Sequence, residues 1–377
     1  MKFQIDGVGT LNRGAELMFY SILEQIEIKA PDSTVIFNST SIGKDKINTK
    51  LKIIKPTRLK YTSYLRAIIF KLKLPIVYFS NMYPISEVNV VFDASGFKYG
   101  DQWSHNDVFY KHLEHYYKTL KAYNTKIILL PQAFGPFEKS VSKKVIDILN
   151  KYVDIIISRD STSLSHLINA GIDIGKVSQY PDFTCLLKGV FPIKYEALKN
   201  AVCIIPNHKM LTHTGYSKDQ YLNFYDIIIP ELAKKHKVFL LNHEGIKDLQ
   251  LCEEIANKLK FKIPIVSNIS AKEIKGVINE SKLVISSRFH GVVSALTQAI
   301  PCISTSWSHK YELLMKEYGF ENYVLDINSN PGTIIKLIND VLIPENQKKM
   351  RSQLHAKSLE IKEQVENMWN YIWSEID

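Results

Sequence analysis

Residues 283–304 read LVISSRFHGVVSALTQAIPCIS. The run at 283–286 is short and apolar, the length of a strand buried on both faces. Residues 291–299 carry apolar side chains at helical spacing, and after Pro301 a second apolar run resumes at 302–304. A strand, a helix and a strand in quick succession make a βαβ unit, whose strands run parallel. Parallel strands are stable only with both faces covered, so this unit calls for neighbours of the same kind.

They are present on both sides. Downstream of residue 199, strand candidates fall at 202–205, 238–241, 263–266, 283–286 and 302–304. Helical stretches lie between them at 218–235, 246–259, 271–280, 291–299 and 310–318. Upstream, strands are expected at 2–7, 34–38, 88–93, 126–130 and 154–158, with helices at 14–28, 106–123, 140–151 and 161–170. The rhythm breaks at 186–199 and restarts. The predicted fold class is therefore α/β: two doubly wound Rossmann-like domains facing across a cleft, at 1–190 and 200–344. A polar helix over 345–377 closes the chain and is expected to pack back on the first domain, the arrangement called GT-B-like. A length of 377 residues suits two domains.

Composition narrows the class. Hydrophobic residues make up 45% and charged residues 23%, ordinary for a folded soluble protein. The opening MKFQIDGVGTLNRGAE breaks into Gly, Asn and charge within ten residues, so no secretory signal is expected. Cys185, Cys203, Cys252 and Cys302 are scattered, which fits reduced thiols in a cytoplasmic protein better than a disulfide frame or a zinc site. The net charge of +10 suits anionic partners, but no run of five basic residues occurs, which argues against nucleic acid. Residues 57–83 mix Arg58, Lys60, Arg66, Lys71 and Lys73 with Leu, Ile, Phe and Tyr and carry no acid. Two readings stand for them: a patch on an anionic membrane surface, or a surface helix whose lysine stems cover core.

Loops that follow parallel strands line the ligand side of such sheets, so polar residues there are the candidates for chemistry. Five stand out. Thr10-Leu11-Asn12-Arg13-Gly14-Ala15-Glu16 opens a helix and offers main-chain N–H groups; its plain alternative is a cap by Asn12. Asp93 ends an apolar strand, as a base for a hydroxyl or as a turn cap. Pro131-Gln132-Ala133-Phe134-Gly135-Pro136-Phe137 is a stiff loop that presents Gln132 or simply turns the chain. Arg159 stands at a strand end beside Asp160, with Asp182 further on, and suits a carboxylate or phosphate. Ser286-Ser287-Arg288-Phe289-His290-Gly291 is joined by Lys310 on the loop after the next strand. A histidine beside an arginine, with a lysine on the adjacent loop, reads better as an anion pocket than as a core histidine.

These motifs, in this order, resemble the polysaccharide pyruvyl transferase family, from Asp6 to about Asp326. Arg288-Phe289-His290 with the stretch from Pro301 to Lys310 carries most of the resemblance, and the Pro131–Phe137 loop and Arg159-Asp160 agree. Gly14-Ala15-Glu16 departs from the family's Gly-Asp-Glu or Gly-Asp-Asp, and Ala94-Ser95-Gly96 from its glycine pair. The resemblance implies transfer of pyruvate from phosphoenolpyruvate to a sugar, free or lipid-linked, as a ketal, with release of phosphate. It implies donor contacts by Arg159, His290 and Lys310, and no metal or organic cofactor. Arg288 is expected to add charge to the same pocket. His290 is the candidate general acid or phosphate ligand and Asp93 the candidate base. Asn12, Glu16, Gln132 and Asp182 are the candidate acceptor contacts. A glycosyltransferase of the same architecture using a nucleotide sugar is the second reading. A non-catalytic scaffold at a membrane is the third, and it leaves the polar strand ends unexplained.

Overall fold

In the computed structural model, residues 1–9, 12–37, 49–54, 85–103, 105–306, 308 and 310–376 are described. Their strands form two sheets, parallel throughout. The first contains β1 (Lys2–Asp6), β2 (Thr34–Phe37), β3 (Lys52–Ile54), β4 (Val90–Asp93), β5 (Lys126–Gln132), β6 (Ile155–Ser158) and β7 (Val177–Gln179), in the order β3-β2-β1-β4-β5-β6-β7. The second contains β8 (Val202–Ile205), β9 (Val238–Leu241), β10 (Ile265–Val266), β11 (Leu283–Ser286), β12 (Cys302–Thr305) and β13 (Val324–Leu325), in the order β10-β9-β8-β11-β12-β13. Both are doubly wound, and each reverses direction once, between β1 and β4 and between β8 and β11. In such sheets a ligand crevice opens at the carboxyl ends of those two strands.

The helices are α1 (Arg13–Lys29), α2 (Asp107–Lys121), α3 (Ser140–Tyr152), α4 (Ser161–Asn169), α5 (Lys218–Ala233), α6 (Gly245–Lys258), α7 (Ala271–Asn279), α8 (Phe289–Leu296), α9 (Lys310–Glu317), α10 (Pro331–Leu342) and α11 (Pro344–Ser374). Their starts are written in the sequence. Asn106 caps α2 by accepting from Phe109 N, and Ser217 and Ser270 close capping boxes with Gln220 and Glu273. The inner strands β4, β6, β8, β9, β11 and β12 are buried at every position, as sheets covered on both faces require.

The chain divides into two compact units, neither continuous in sequence. Unit 1 is Met1–Thr10, Met18–Thr184 and Gln364–Asp377; unit 2 is Leu11–Leu17 and Cys185–Glu363. The first turn of α1 thus belongs to unit 2 and its remainder to unit 1. Helix α11 is shared as well. Its early part is held in unit 2, where Gln347 and Arg351 donate to the carbonyls of Lys282 and Ser281. Its last turns belong to unit 1, where Trp369 meets Phe92 and Phe183 edge-on and Trp373 does the same to Phe3. Both tryptophans are buried. At about 1.5–3 kcal/mol for each large apolar side chain buried, they hold those turns against the sheet rather than leaving them to fray.

The expected strands and helices are present, with ends shifted by a few residues. Strands β3, β7 and β13 were not anticipated; they are two or three residues long and sit at or next to sheet edges. Helix α10 was also missed, although Asn330 caps it and Pro331 opens it. All four cysteines are buried free thiols. No helix among the described residues is long and apolar enough to cross a membrane. The basic, apolar segment 57–83 lies outside the described residues, as do Thr10 and Leu11.

Candidate active site

In unit 2 the strand order reverses between β8 and β11, and the chain leaving β11 is locked there. Ser287 N donates to Ile205 O. The Ser287 carbonyl accepts from Asn207 Nδ2 at 2.7 Å and from Tyr311 OH at 2.9 Å. Its hydroxyl bonds Tyr221 OH at 2.7 Å and Thr305 Oγ1 at 2.6 Å, and Tyr225 OH donates to Tyr221 OH. Every group in this network is buried. A satisfied buried network of this kind fixes a single arrangement. Gly291 completes it, because a Cβ there would meet Ser286 Oγ and Ile205 Cδ1. The first turn of α8 therefore lies tight on the sheet, and His290 is delivered from a rigid base.

Arg288 is held by two acids. Its Nε and Nη2 donate to the Asp248 carboxylate at 2.7 and 2.6 Å, and its Nη1 pairs with Glu244. Asp248 is fully buried and also accepts from His208 N at 3.0 Å. A carboxylate so placed needs this cation. Burial works against the arginine's charge, and the two acids more than restore it. Three of the guanidinium's N–H donors thus brace the start of α6 against the loop after β11.

The other groups are close by. The Lys310 ammonium lies 5.1 Å from the centre of the Phe289 ring and 5.9 Å from that of Tyr311. Burial, then the charges of Lys209 and Lys310, lower the pKa of His213. Within the same unit, Gly14 lies against the His290 imidazole so closely that no side chain would fit between them. Arg13 pairs with buried Glu16. Asn12 Oδ1 accepts from Gly14 N at 2.8 Å and Ala15 N at 3.3 Å, so its side chain acts as the helix cap. Asn12 and Glu16, expected beside the other acceptor contacts, fold with the cationic groups of unit 2.

In unit 1 the reversal lies between β1 and β4, and each strand ends on an aspartate; Asp6 and Asp93 are paired in register. Asp93 is buried. Its Oδ1 accepts from Ser95 N at 2.9 Å, and its Oδ2 from Lys98 Nζ at 3.1 Å, Tyr99 OH at 3.3 Å and Tyr117 OH at 3.4 Å. Asp6 remains partly exposed, and accepts from Tyr116 OH at 2.6 Å and Gln4 Nε2 at 2.9 Å. The environments push the two carboxyls apart. Burial and the charge of Asp93 raise Asp6 despite the bonds from Tyr116 and Gln4. Burial acts the same way on Asp93, but Lys98 and Ser95 overcome it and hold it below the usual carboxylate value. Burial keeps Tyr99, Tyr116 and Tyr117 protonated as donors. Two carboxyls separated in this way are how one site holds an acid and a base together.

Further along this sheet, Arg159 N donates to Gln132 O at 3.0 Å, and Arg159 Nη1 lies 3.5 Å from Asp182 Oδ2, both side chains nearly buried. Asp160 caps α4, its carboxylate accepting from Ser163 N at 2.7 Å. Gln132 is fully enclosed, and neither end of its side chain has a hydrogen-bond partner among the described residues. Gln132, Arg159 and Asp182 are therefore neighbours in unit 1, while Arg288, His290 and Lys310 belong to unit 2. The sequence reading passed over Asp6, Lys98, Tyr116, Tyr117, His243, Glu244 and Asp248. The rule that singled out Asp93 applies equally to Asp6, which ends β1, and to Asn242-His243-Glu244, which follow β9.

Known proteins supply the context. Among solved structures, HepE of Anabaena in complex with UDP superposes with a TM-score of 0.62 at 10% identity, covering 100% of this chain and 99% of that one. The UDP-GlcNAc 2-epimerase of Neisseria meningitidis superposes with a TM-score of 0.58 at 10% identity, covering 97% and 100%. Identities this low establish a shared fold alone. The amylovoran biosynthesis protein AmsJ of Erwinia amylovora is 21% identical over 62% of this chain, and the match spans 61% of AmsJ's own length. The family model for polysaccharide pyruvyl transferase matches residues 12–309, which takes in Asp93, Arg159, the β11 loop and His290, and the chain belongs to that family.

Proposed function

We propose that the protein moves pyruvate from phosphoenolpyruvate onto two hydroxyls of a sugar unit in polysaccharide assembly. The observation that carries this reading is the delivery of His290 and Lys310 from adjacent strand ends at the reversal of the unit 2 sheet. His290 gives a proton to the donor's enol carbon, leaving a cation on the neighbouring carbon. A first sugar hydroxyl adds to that carbon and loses its proton. The carbon–oxygen bond to phosphate breaks, and the second hydroxyl closes the ketal and loses its proton. One of these two protons replaces the one spent on the enol carbon; the other leaves with phosphate.

Lys310 holds the donor's negative charge, and Arg288 braces the loop that carries His290. In unit 1 the Asp6–Asp93 pair receives a hydroxyl proton, with Asp6 the accessible member, and Gln132 and Asp182 contact the sugar. The acceptor is a sugar, free or lipid-linked, and the reaction belongs to the cytoplasmic side of envelope polysaccharide synthesis.

The test incubates the protein with phosphoenolpyruvate and a panel of glycosides bearing two free hydroxyls. Phosphate release should require a glycoside, and a new ketal methyl signal should appear in the proton NMR spectrum. Consumption of a nucleotide sugar with phosphoenolpyruvate untouched would instead establish the glycosyltransferase reading.

A further inference from the structure

His243 has no role in the reaction as drawn. It follows β9, on the ligand side of the unit 2 sheet, and leads through Glu244 into α6. Only 2% of it is exposed, and neither ring nitrogen has a hydrogen-bond partner among the described residues. Buried polar side chains in folded proteins are nearly always bonded, and one that is not calls for an explanation, such as a bound group. Chain and contacts place the ring among charged groups: Glu244 beside it pairs with Arg288, and the His290 imidazole lies against Gly14, next to Arg13. Burial first, then the charges of Arg288, His290 and Arg13, drive the His243 pKa well below its ordinary value. The ring is therefore neutral and offers one N–H and one lone pair. An N–H in a dry site bonds an anionic oxygen strongly.

The rest of the structure supports this placement. Glu244 and Asp248 flank His243 along the chain, and both are tied to Arg288. The loop that carries the ring is thus fixed to the one that carries His290. Such a connection holds a contact residue in register with its neighbour.

We propose that His243 is a ligand-contacting residue of the unit 2 site, donating a ring N–H to an oxygen of a phosphate or carboxylate held beside Arg13 and His290. This rests on the reading of that site as a phosphoenolpyruvate pocket, but it can be tested apart from turnover.

The experiment uses the full chain labelled with ¹⁵N-histidine, with the His243 signals assigned by comparison with His243→Gln. Inorganic phosphate and phosphoenolpyruvate are titrated separately. Each should shift the His243 ring signals. His243→Phe, which keeps the bulk and removes the N–H, should weaken phosphoenolpyruvate binding about 10–100-fold, the usual worth of a hydrogen bond to a charged group. His243→Gln, which keeps a donor, should recover part of that loss. Ring signals indifferent to both anions, or unchanged affinity in a folded His243→Phe, would overturn the inference. If His243→Phe does not fold, the titration of the native protein decides alone. Shifts with phosphate but no turnover of phosphoenolpyruvate would keep this contact and remove the pyruvyl-transfer reading. Turnover without any shift would do the reverse.

Discussion

His290→Gln lowers turnover about 10²–10⁴-fold, the usual worth of a general acid, while donor affinity changes little and the melting temperature holds. The expectation rests on how the residue is supported. The carbonyl and hydroxyl of Ser287, the fit of Gly291 and the Arg288 brace all belong to groups other than the imidazole. Removing the proton donor therefore leaves the scaffold intact. Lys310→Ala behaves in the opposite way. Its ammonium is balanced against donor charge in both ground and transition states, so its loss raises KM with less effect on kcat. Steady-state kinetics and melting curves on the two variants are the measurements. A His290→Gln protein that melts early but keeps full activity per folded molecule would make the histidine a packing residue and remove the proton donor from unit 2.

The fold was legible because its signals are local. Runs such as Val202–Ile205 and Val238–Leu241 are buried on both faces, and the helices between them carry their caps beside them in sequence. Strands β3, β7 and β13 carry no such signal, since their pairing depends on a neighbour distant in the chain. The same contrast divides the site. His290 and Lys310 announced themselves as polar residues after apolar runs. That Arg288 is engaged by acids 40 and 44 positions away could not be read from its own surroundings. Nor could the grouping of Asn12 and Glu16 with unit 2, because the division between the units falls within a single helix. Asp6 is a different case. Its position after Ile5 was in plain view, and it takes on meaning once the register places Asp93 opposite it.

That pair gives the second large effect, with the two aspartates responding in opposite directions. Asp93→Asn leaves the Lys98 ammonium, three-quarters buried, without its carboxylate. Breaking one side of such a pair costs about 3 kcal/mol, the low end of the range because Lys98 keeps some water. Asp6→Asn removes a carboxyl that burial and the Asp93 charge make costly to ionise, and Tyr116 OH can turn to suit the amide. Its melting temperature at neutral pH should equal or exceed that of the native protein. The pH dependence separates the two further. Asp93, held low in the folded state, contributes stability that is present above the ordinary carboxylate pKa and disappears as pH falls through its folded value. Asp6, held high, subtracts stability above its folded value and ceases to do so as pH falls toward the ordinary one. Melting curves from about pH 3 to pH 8 should therefore lose part of their acid-side decline in Asp93→Asn. In Asp6→Asn they should lose part of the penalty near neutrality. Activity supplies the third readout: if Asp6 receives the hydroxyl proton, Asp6→Asn is folded, at least as stable and nearly inactive. A fully active Asp6→Asn protein would move the base elsewhere and leave the pair as a structural device of the sheet.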